Sequence, residues 1–252
     1  MAIAGGLAGA AGADDMPTST TLGIQPSYFE GDYGTGMDTE ITYVPVYAKY
    51  RAGNFSFKVT VPYISVKNEG VIVSGGTVVG KNGHGGTTTA TRKSGLGDVI
   101  AESRYRFRGT GSGPDVSPYV KVKFGTASYD DGLGTGENDY EGGIGLEWTI
   151  GRDTYPFLDI GYRLVGSPPG RNLRNIATYE AGSTFRLDDS NFLSAIFSGH
   201  ESTEAGFANS AEILLAWNHE TTPGSGIQLY VDKGLTDGSP KYGFGIGAYT
   251  RF

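Results

Sequence analysis

Three groups of side chains in this sequence could do chemistry: the histidines, a cluster of carboxylates, and a large set of charges recurring at every second position. The three histidines are His84, His200 and His219, and only His200 has a hydroxyl and an acid close in sequence, Ser202 and Glu204. A nucleophilic site needs a base within hydrogen-bond reach of the nucleophile and a third group that orients the base. A lone His-x-Ser supplies none of this by itself, so the spacing predicts no catalytic residue and no enzyme. The stretch from Tyr129-Asp130-Asp131-Gly132 to Glu137-Asn138-Asp139 offers oxygen ligands of the kind calcium takes. Its spacing does not match the twelve-residue calcium loop, and a solvated acidic loop is the expectation. With no cysteine in the chain, thiolate metal sites and disulfides are excluded. The glycines fall in strand-like and turn-like contexts, not between a strand and a helix, so no phosphate-binding loop is predicted either. No metal site and no cofactor is expected.

The third group is the informative one. Lys58, Asp98, Glu102, Arg104, Arg106, Lys121, Lys123, Glu141, Glu147, Asp159, Arg163, Glu180, Arg186 and Glu212, joined by Asp232 and Arg251, alternate with apolar and aromatic residues. Charges collected on the inner face of a closed sheet would line a pore. Grouping Arg104, Lys121 and Lys123 against Glu141, Glu147 and Asp159 would set a transverse field that orients a dipolar solute. The competing expectation is that they pair across strands and stiffen the interior.

Such residues need strands to hold them. The 252-residue chain has 42 glycines, 16 tyrosines and 12 phenylalanines, a mixture of turn formers and aromatics that suits pleated surfaces. From Thr18 onward it divides into twelve segments of alternating hydrophobicity, at 18–29, 39–51, 54–66, 96–108, 116–128, 139–150, 154–165, 175–187, 191–200, 209–218, 226–234 and 241–252. Ten or so residues is the length a tilted strand needs to cross a bilayer. The connections alternate between short turns, such as Arg51-Ala52-Gly53-Asn54 and Asp188-Asp189-Ser190, and longer ones, led by 67–95. That alternation, with an even number of strands, belongs to an all-β, transmembrane, antiparallel up-and-down barrel of about 12 strands with short periplasmic turns and periplasmic termini. The mean hydropathy of −0.25 is no objection, because only one face of each strand is apolar.

Parity also sorts the aromatics. Phe55, Phe57, Tyr105, Phe107, Trp148, Phe185, Trp217 and Phe252 share the outward face near the short turns, while Tyr63, Tyr140, Tyr162, Tyr179, Tyr242 and Phe244 lie toward the other end. Two aromatic bands around an aliphatic belt are the expected girdles at the membrane interfaces. Residues 18–252 are thus read as the barrel. Residues 1–17, with Ala11-Gly12-Ala13 before Asp14-Asp15, are read as a signal-peptide remnant or a flexible leader. The location implied is the Gram-negative outer membrane. The expected partners are outer-membrane lipid and lipopolysaccharide, a small-molecule solute, and the barrel assembly machinery, which the final strand ending on Phe252 resembles a substrate of. A net charge of −7 argues against a nucleic-acid partner.

Ser94-Gly95-Leu96-Gly97-Asp98-Val99, running on to Tyr105-Arg106-Phe107, with the later Phe124-Gly125-Thr126, resembles an outer-membrane transporter family associated with the phenol meta-cleavage degradation pathway. The resemblance implies a barrel near twelve strands and passage of small compounds, hydrophobic or aromatic ones among them. The function expected is therefore an outer-membrane channel, or facilitated-diffusion porin, for small solutes, with 67–95 as the candidate gate. The alternative is a non-conducting barrel serving as structural anchor, adhesin or subunit of a surface assembly. Nothing matches the motif of the twelve-stranded outer-membrane phospholipase.

Overall fold

The computed structural model describes residues 18–67, 71–74, 77–80 and 91–252. The segment 1–17 and His84 lie outside them. In chain order the strands are β1 (Ser19–Ile24), β2 (Ser27–Gly31), β3 (Thr39–Ala52), β4 (Phe55–Lys67), β5 (Val71–Ser74), β6 (Thr77–Gly80), β7 (Arg92–Leu96), β8 (Val99–Tyr105), β9 (Asp115–Phe124), β10 (Asp139–Glu147), β11 (Thr154–Leu164), β12 (Ile176–Arg186), β13 (Asn191–His200), β14 (Ser210–Thr222), β15 (Ser225–Gly234) and β16 (Tyr242–Arg251). All but β5 and β6 join one sheet.

Two pairs of strands are interrupted staves. Both β1 and β2 lie between β3 and β16, and both β7 and β8 pair with β4. The first break falls at Gln25-Pro26, where proline has no N–H to give to the ladder. The second falls at Gly97-Asp98. Pro45 and Pro62 face each other on the two strands between these breaks, so prolines interrupt three neighbouring staves, and on the fourth the Gly97 N–H donates to the Pro62 carbonyl at 2.8 Å. Counted as staves, the sheet is a closed, twelve-stranded antiparallel barrel. The seam is the antiparallel pairing of Thr21 with Arg251 through Ile24 with Ala248.

The expected strand positions hold with small displacements. The fourth stave begins at Arg92, not at 96, and β14 runs on to Thr222, because Thr221 and Thr222 keep the extended backbone up to the turn at Pro223-Gly224. The β3–β4 turn is two residues long, and Gly53 takes a positive φ of 56° that most side chains disfavour. Within 67–95, expected to be plain loop, β5 and β6 form a small hairpin of their own.

Alternation decides what each face touches. Outward residues such as Val120 stay 59 % exposed, whereas the inward Glu212 keeps only 1 %. The interior is not uniformly polar. In the half nearer the long loops, Phe29, Ile41, Tyr43, Ile64, Val66, Ile196, Leu214 and Tyr230 project inward and pack with Tyr33, Val73, Ala127 and Leu133, which come from the loops and the hairpin. An apolar cluster therefore fills part of the barrel interior beneath the loops. Val73 is tied down by its N–H donating to the Gly132 carbonyl at 3.1 Å.

Candidate functional site

Strand register turns the alternating charges into rows. Lys49 on β3 lies opposite Lys58 on β4, which lies opposite Glu102 on β8, then Lys121 on β9, Glu141 on β10 and Arg163 on β11. All six line one interior cavity of about 240 Å³, as do Arg104, Asp159, Glu180 and Glu212. These side chains sit on rigid strands, so their spacing is set by the ladder and not by loops.

Most of the charges are paired. Glu141 accepts from Lys121 at 3.0 Å and from Arg163 at 2.8 Å, and the Tyr119 hydroxyl donates to it at 3.2 Å. Arg104 makes a two-pronged contact with Asp159, at 3.0 and 3.1 Å, reaching over the two strands between them. The reach is possible because Gly143 and Gly145 face inward. A Cβ on Gly145 would overlap both Arg104 and Asp159, and one on Gly143 would overlap the Tyr119 ring and the Ile160 carbonyl oxygen. Arg104 also stacks over Tyr119, 4.8 Å from the ring centre. The expected grouping of Arg104, Lys121 and Lys123, on β8 and β9, against Glu141, Glu147 and Asp159, on β10 and β11, keeps its strands, but the groups are paired: Lys121 meets Glu141 in register on the next strand, Arg104 reaches Asp159 over two, and Lys123 meets Asp139.

Other members of the predicted set lie elsewhere. Asp98 and Lys123 are buried beside the cavity, where Lys123 bridges Asp98 at 3.4 Å and Asp139 at 3.2 Å. Asp98 also accepts from the Ala127 N–H at 3.0 Å, fastening the 125–138 loop across the barrel end. Arg106 pairs with Glu147 and Asp115 toward the short turns, and Arg186 pairs with Asp189 in a turn. Asp232 is buried, and neither of its carboxylate oxygens has a hydrogen-bond partner among the described residues. The aromatic set, Phe55, Phe57, Tyr105, Phe107, Phe185 and Phe252, is exposed, whereas Trp148 and Trp217 are half-buried. Trp217 donates to Asn191 at 3.1 Å and stacks on His219.

The hydroxyl, acid and imidazole near His200 form no relay. His200 Nδ1 contacts the Glu201 carbonyl at 2.9 Å, Ser202 donates to the Glu204 carbonyl, and the Glu204 carboxylate is held by Arg171. Among the described residues no group of three or more potential ligands is placed to hold a metal ion.

No protein-family model and no curated protein matches the sequence. Solved structures do. The COG4313 outer membrane channel from Pseudomonas putida F1 matches with a TM-score of 0.72 at 12% identity, over 96% of this chain and 99% of that one. The NanC porin matches at 0.58 and 12% identity, over 91% and 98%. The translocator domain of the autotransporter NalP from Neisseria meningitidis matches at 0.58 and 11% identity, over 95% and 90%. The chain has the fold of outer-membrane channels. At these identities the likeness is one of fold, and the family resemblance carried by 94–107 has no matching family model beside it.

Lys49 was missed from the sequence. Its signal was available, since a two-residue turn at Gly53-Asn54 sets position 49 opposite 58, but the parity of the 39–51 segment is blurred by the run Tyr43-Val44-Pro45-Val46-Tyr47. Missed as well was the apolar filling, because alternation reports which residues share a face and not whether an inward isoleucine meets water or a loop.

On the outer side of the loop end Lys241 and Asp38 are exposed to solvent. Lys241 donates to Asp38 at 2.7 Å, and this contact raises its pKa. Burial pushes the Tyr33 phenol far up, so it stays neutral in the cluster.

Proposed function

We propose that the protein is a Gram-negative outer-membrane channel for facilitated diffusion of small solutes, with its short turns and both barrel termini on the periplasmic side. The observation that carries this reading is the closed barrel whose outer face is apolar and aromatic and whose interior holds a charged cavity of about 240 Å³. A sheet of this kind in water would leave its greasy face unpartnered, whereas a bilayer covers it. Twelve strands fall between barrels filled by side chains and those with open channels, which suits a narrow pore. Lys58, Glu102, Arg104, Lys121, Glu141, Asp159, Arg163, Glu180 and Glu212 would line it, and the exposed aromatics would sit at the two interfaces. The apolar cluster at the loop end would favour solutes with an apolar part, including the hydrophobic and aromatic compounds that the sequence resemblance implies.

The test is planar-bilayer recording of the full chain. Discrete current steps, altered in size by Arg104→Gln or Lys121→Gln, are expected.

The same apolar cluster favours a second reading, a non-conducting barrel that anchors a surface assembly, since Tyr33, Val73 and Leu133 lie across the interior. A silent membrane with correctly inserted protein would select it.

A further inference from the structure

Removing the paired charges from the cavity leaves a remainder with a direction. Glu141 is engaged by Lys121 and Arg163, and Asp159 by Arg104. Glu102 lies 3.7 Å from Arg104 and makes no ion pair with its row neighbour Lys58 among the described residues. Lys49 and Lys58 then stand side by side, and neither forms an ion pair among the described residues. The Lys58 ammonium rests 4.7 Å over the Tyr47 ring, a contact that holds it without neutralising it. Like charges directly opposite on neighbouring strands destabilise a sheet, so the pair calls for an anion from outside the wall.

The far side of the barrel has the opposite character. Glu180 on β12 makes no hydrogen bond or ion pair among the described residues, while Glu212, in the same row two strands on, accepts from the Ser210 hydroxyl at 2.9 Å. In the ring of staves β3 and β4 stand diametrically across from β12 to β14. The interior therefore has a transverse field, but from residues other than Arg104 and Lys121.

We infer that Lys49 and Lys58 form a binding site for a small organic monocarboxylate inside the barrel. Two ammonium groups can each donate to a carboxylate oxygen, a charge-assisted arrangement stronger than neutral hydrogen bonds. Tyr43 and Ile100, also on the cavity wall, offer apolar surface to the rest of the molecule. Glu180 across the cavity opposes a second negative charge, which selects monoanions over dianions. The site names the solute class of the proposed channel, and it rests on that reading only for how the anion arrives.

Benzoate is the probe. Its binding to the full chain folded in detergent is measured by isothermal titration calorimetry, with heat-modifiable gel migration confirming that each variant folds. Wild type is expected to bind saturably. Lys49→Gln combined with Lys58→Gln should weaken binding about 10- to 100-fold, the loss that follows when hydrogen bonds to a charged group are removed. Phthalate, a dianion of similar shape, should bind less well than benzoate. Absence of benzoate binding by wild type, equal affinity in the folded double variant, or benzylammonium binding as tightly as benzoate would overturn the site. Benzoate binding lost in the variant, together with no current steps in bilayers, would uphold the site and refute the channel.

Discussion

Replacing Ile144 with arginine tests whether the outer face meets hydrocarbon. Ile144 lies mid-strand on β10, directly opposite Ile160 of β11, and shows 53 % of its surface outward. Fully burying an isoleucine is worth about 1.5–3 kcal/mol, so lipid covering the exposed half supplies roughly half of that. Arginine forfeits this gain and adds the cost of a guanidinium in hydrocarbon. At the midplane of a barrel wall the total comes to about 2–4 kcal/mol. In water the same change on a half-exposed strand surface would stay within about 0.5 kcal/mol. The assay is reversible urea unfolding from phospholipid vesicles, followed by the fluorescence of Trp148 and Trp217, with Ser112→Arg in an exposed turn as control. A loss near the upper range for Ile144→Arg and almost none for the control are expected. An Ile144→Arg barrel as stable as wild type, or a wild-type chain that stays folded and monomeric in detergent-free buffer, would refute the membrane placement.

Gly143→Ala should destabilise the barrel by about 1–3 kcal/mol in the same vesicle assay, because the new methyl overlaps the Ile160 carbonyl oxygen as well as the Tyr119 ring and cannot be relieved by side-chain motion alone. Val73→Asp, which puts a charge into the apolar cluster under the loops, should raise single-channel conductance; an unchanged current would remove the hairpin from any gating role. The Asp188 carboxylate accepts from the Ser190 and Asn191 amides at 2.8 and 2.9 Å, and these bonds, the Ser190 one foremost, hold its pKa below the ordinary carboxylate value. Its contribution to the turn is therefore present above the unfolded-state value and lost as pH falls through the depressed one. Amide shifts of Ser190 and Asn191 should move together in that acid range, and Asp188→Asn should abolish the transition.

Strand positions were legible because period-two alternation and turn residues are local signals, readable without knowing what packs where. The outward set Phe55, Phe57, Tyr63 and the inward set Lys58, Thr60 follow from parity alone. The contents of the interior were not legible. Whether Lys121 meets Glu141 or stands free depends on register, which a short turn sets but the long 125–138 connection between β9 and β10 does not, while Arg104 reaching Asp159 depends on two glycines that no pairing rule flags. The hairpin at 71–80 went unrecognised since its strands are four residues each and surrounded by glycine and threonine. Ile41, Ile64 and Leu214 obey alternation as well as any lumen residue does, and only the loops lying over them make them a core.

The seam between residues 21–24 and 248–251 joins parts of the chain more than two hundred positions apart, whereas the other staves are joined to chain neighbours by turns or loops. Hairpins can therefore form early and locally, and the ring shuts in one late step that carries most of the loop-closure entropy. That makes the order of the staves cyclic in all but its covalent starting point: a permuted gene that links 252 to 18 by a short turn and opens the chain at Gly53-Asn54 should give the same barrel, with the slow phase of its refolding moved to the β3–β4 pairing.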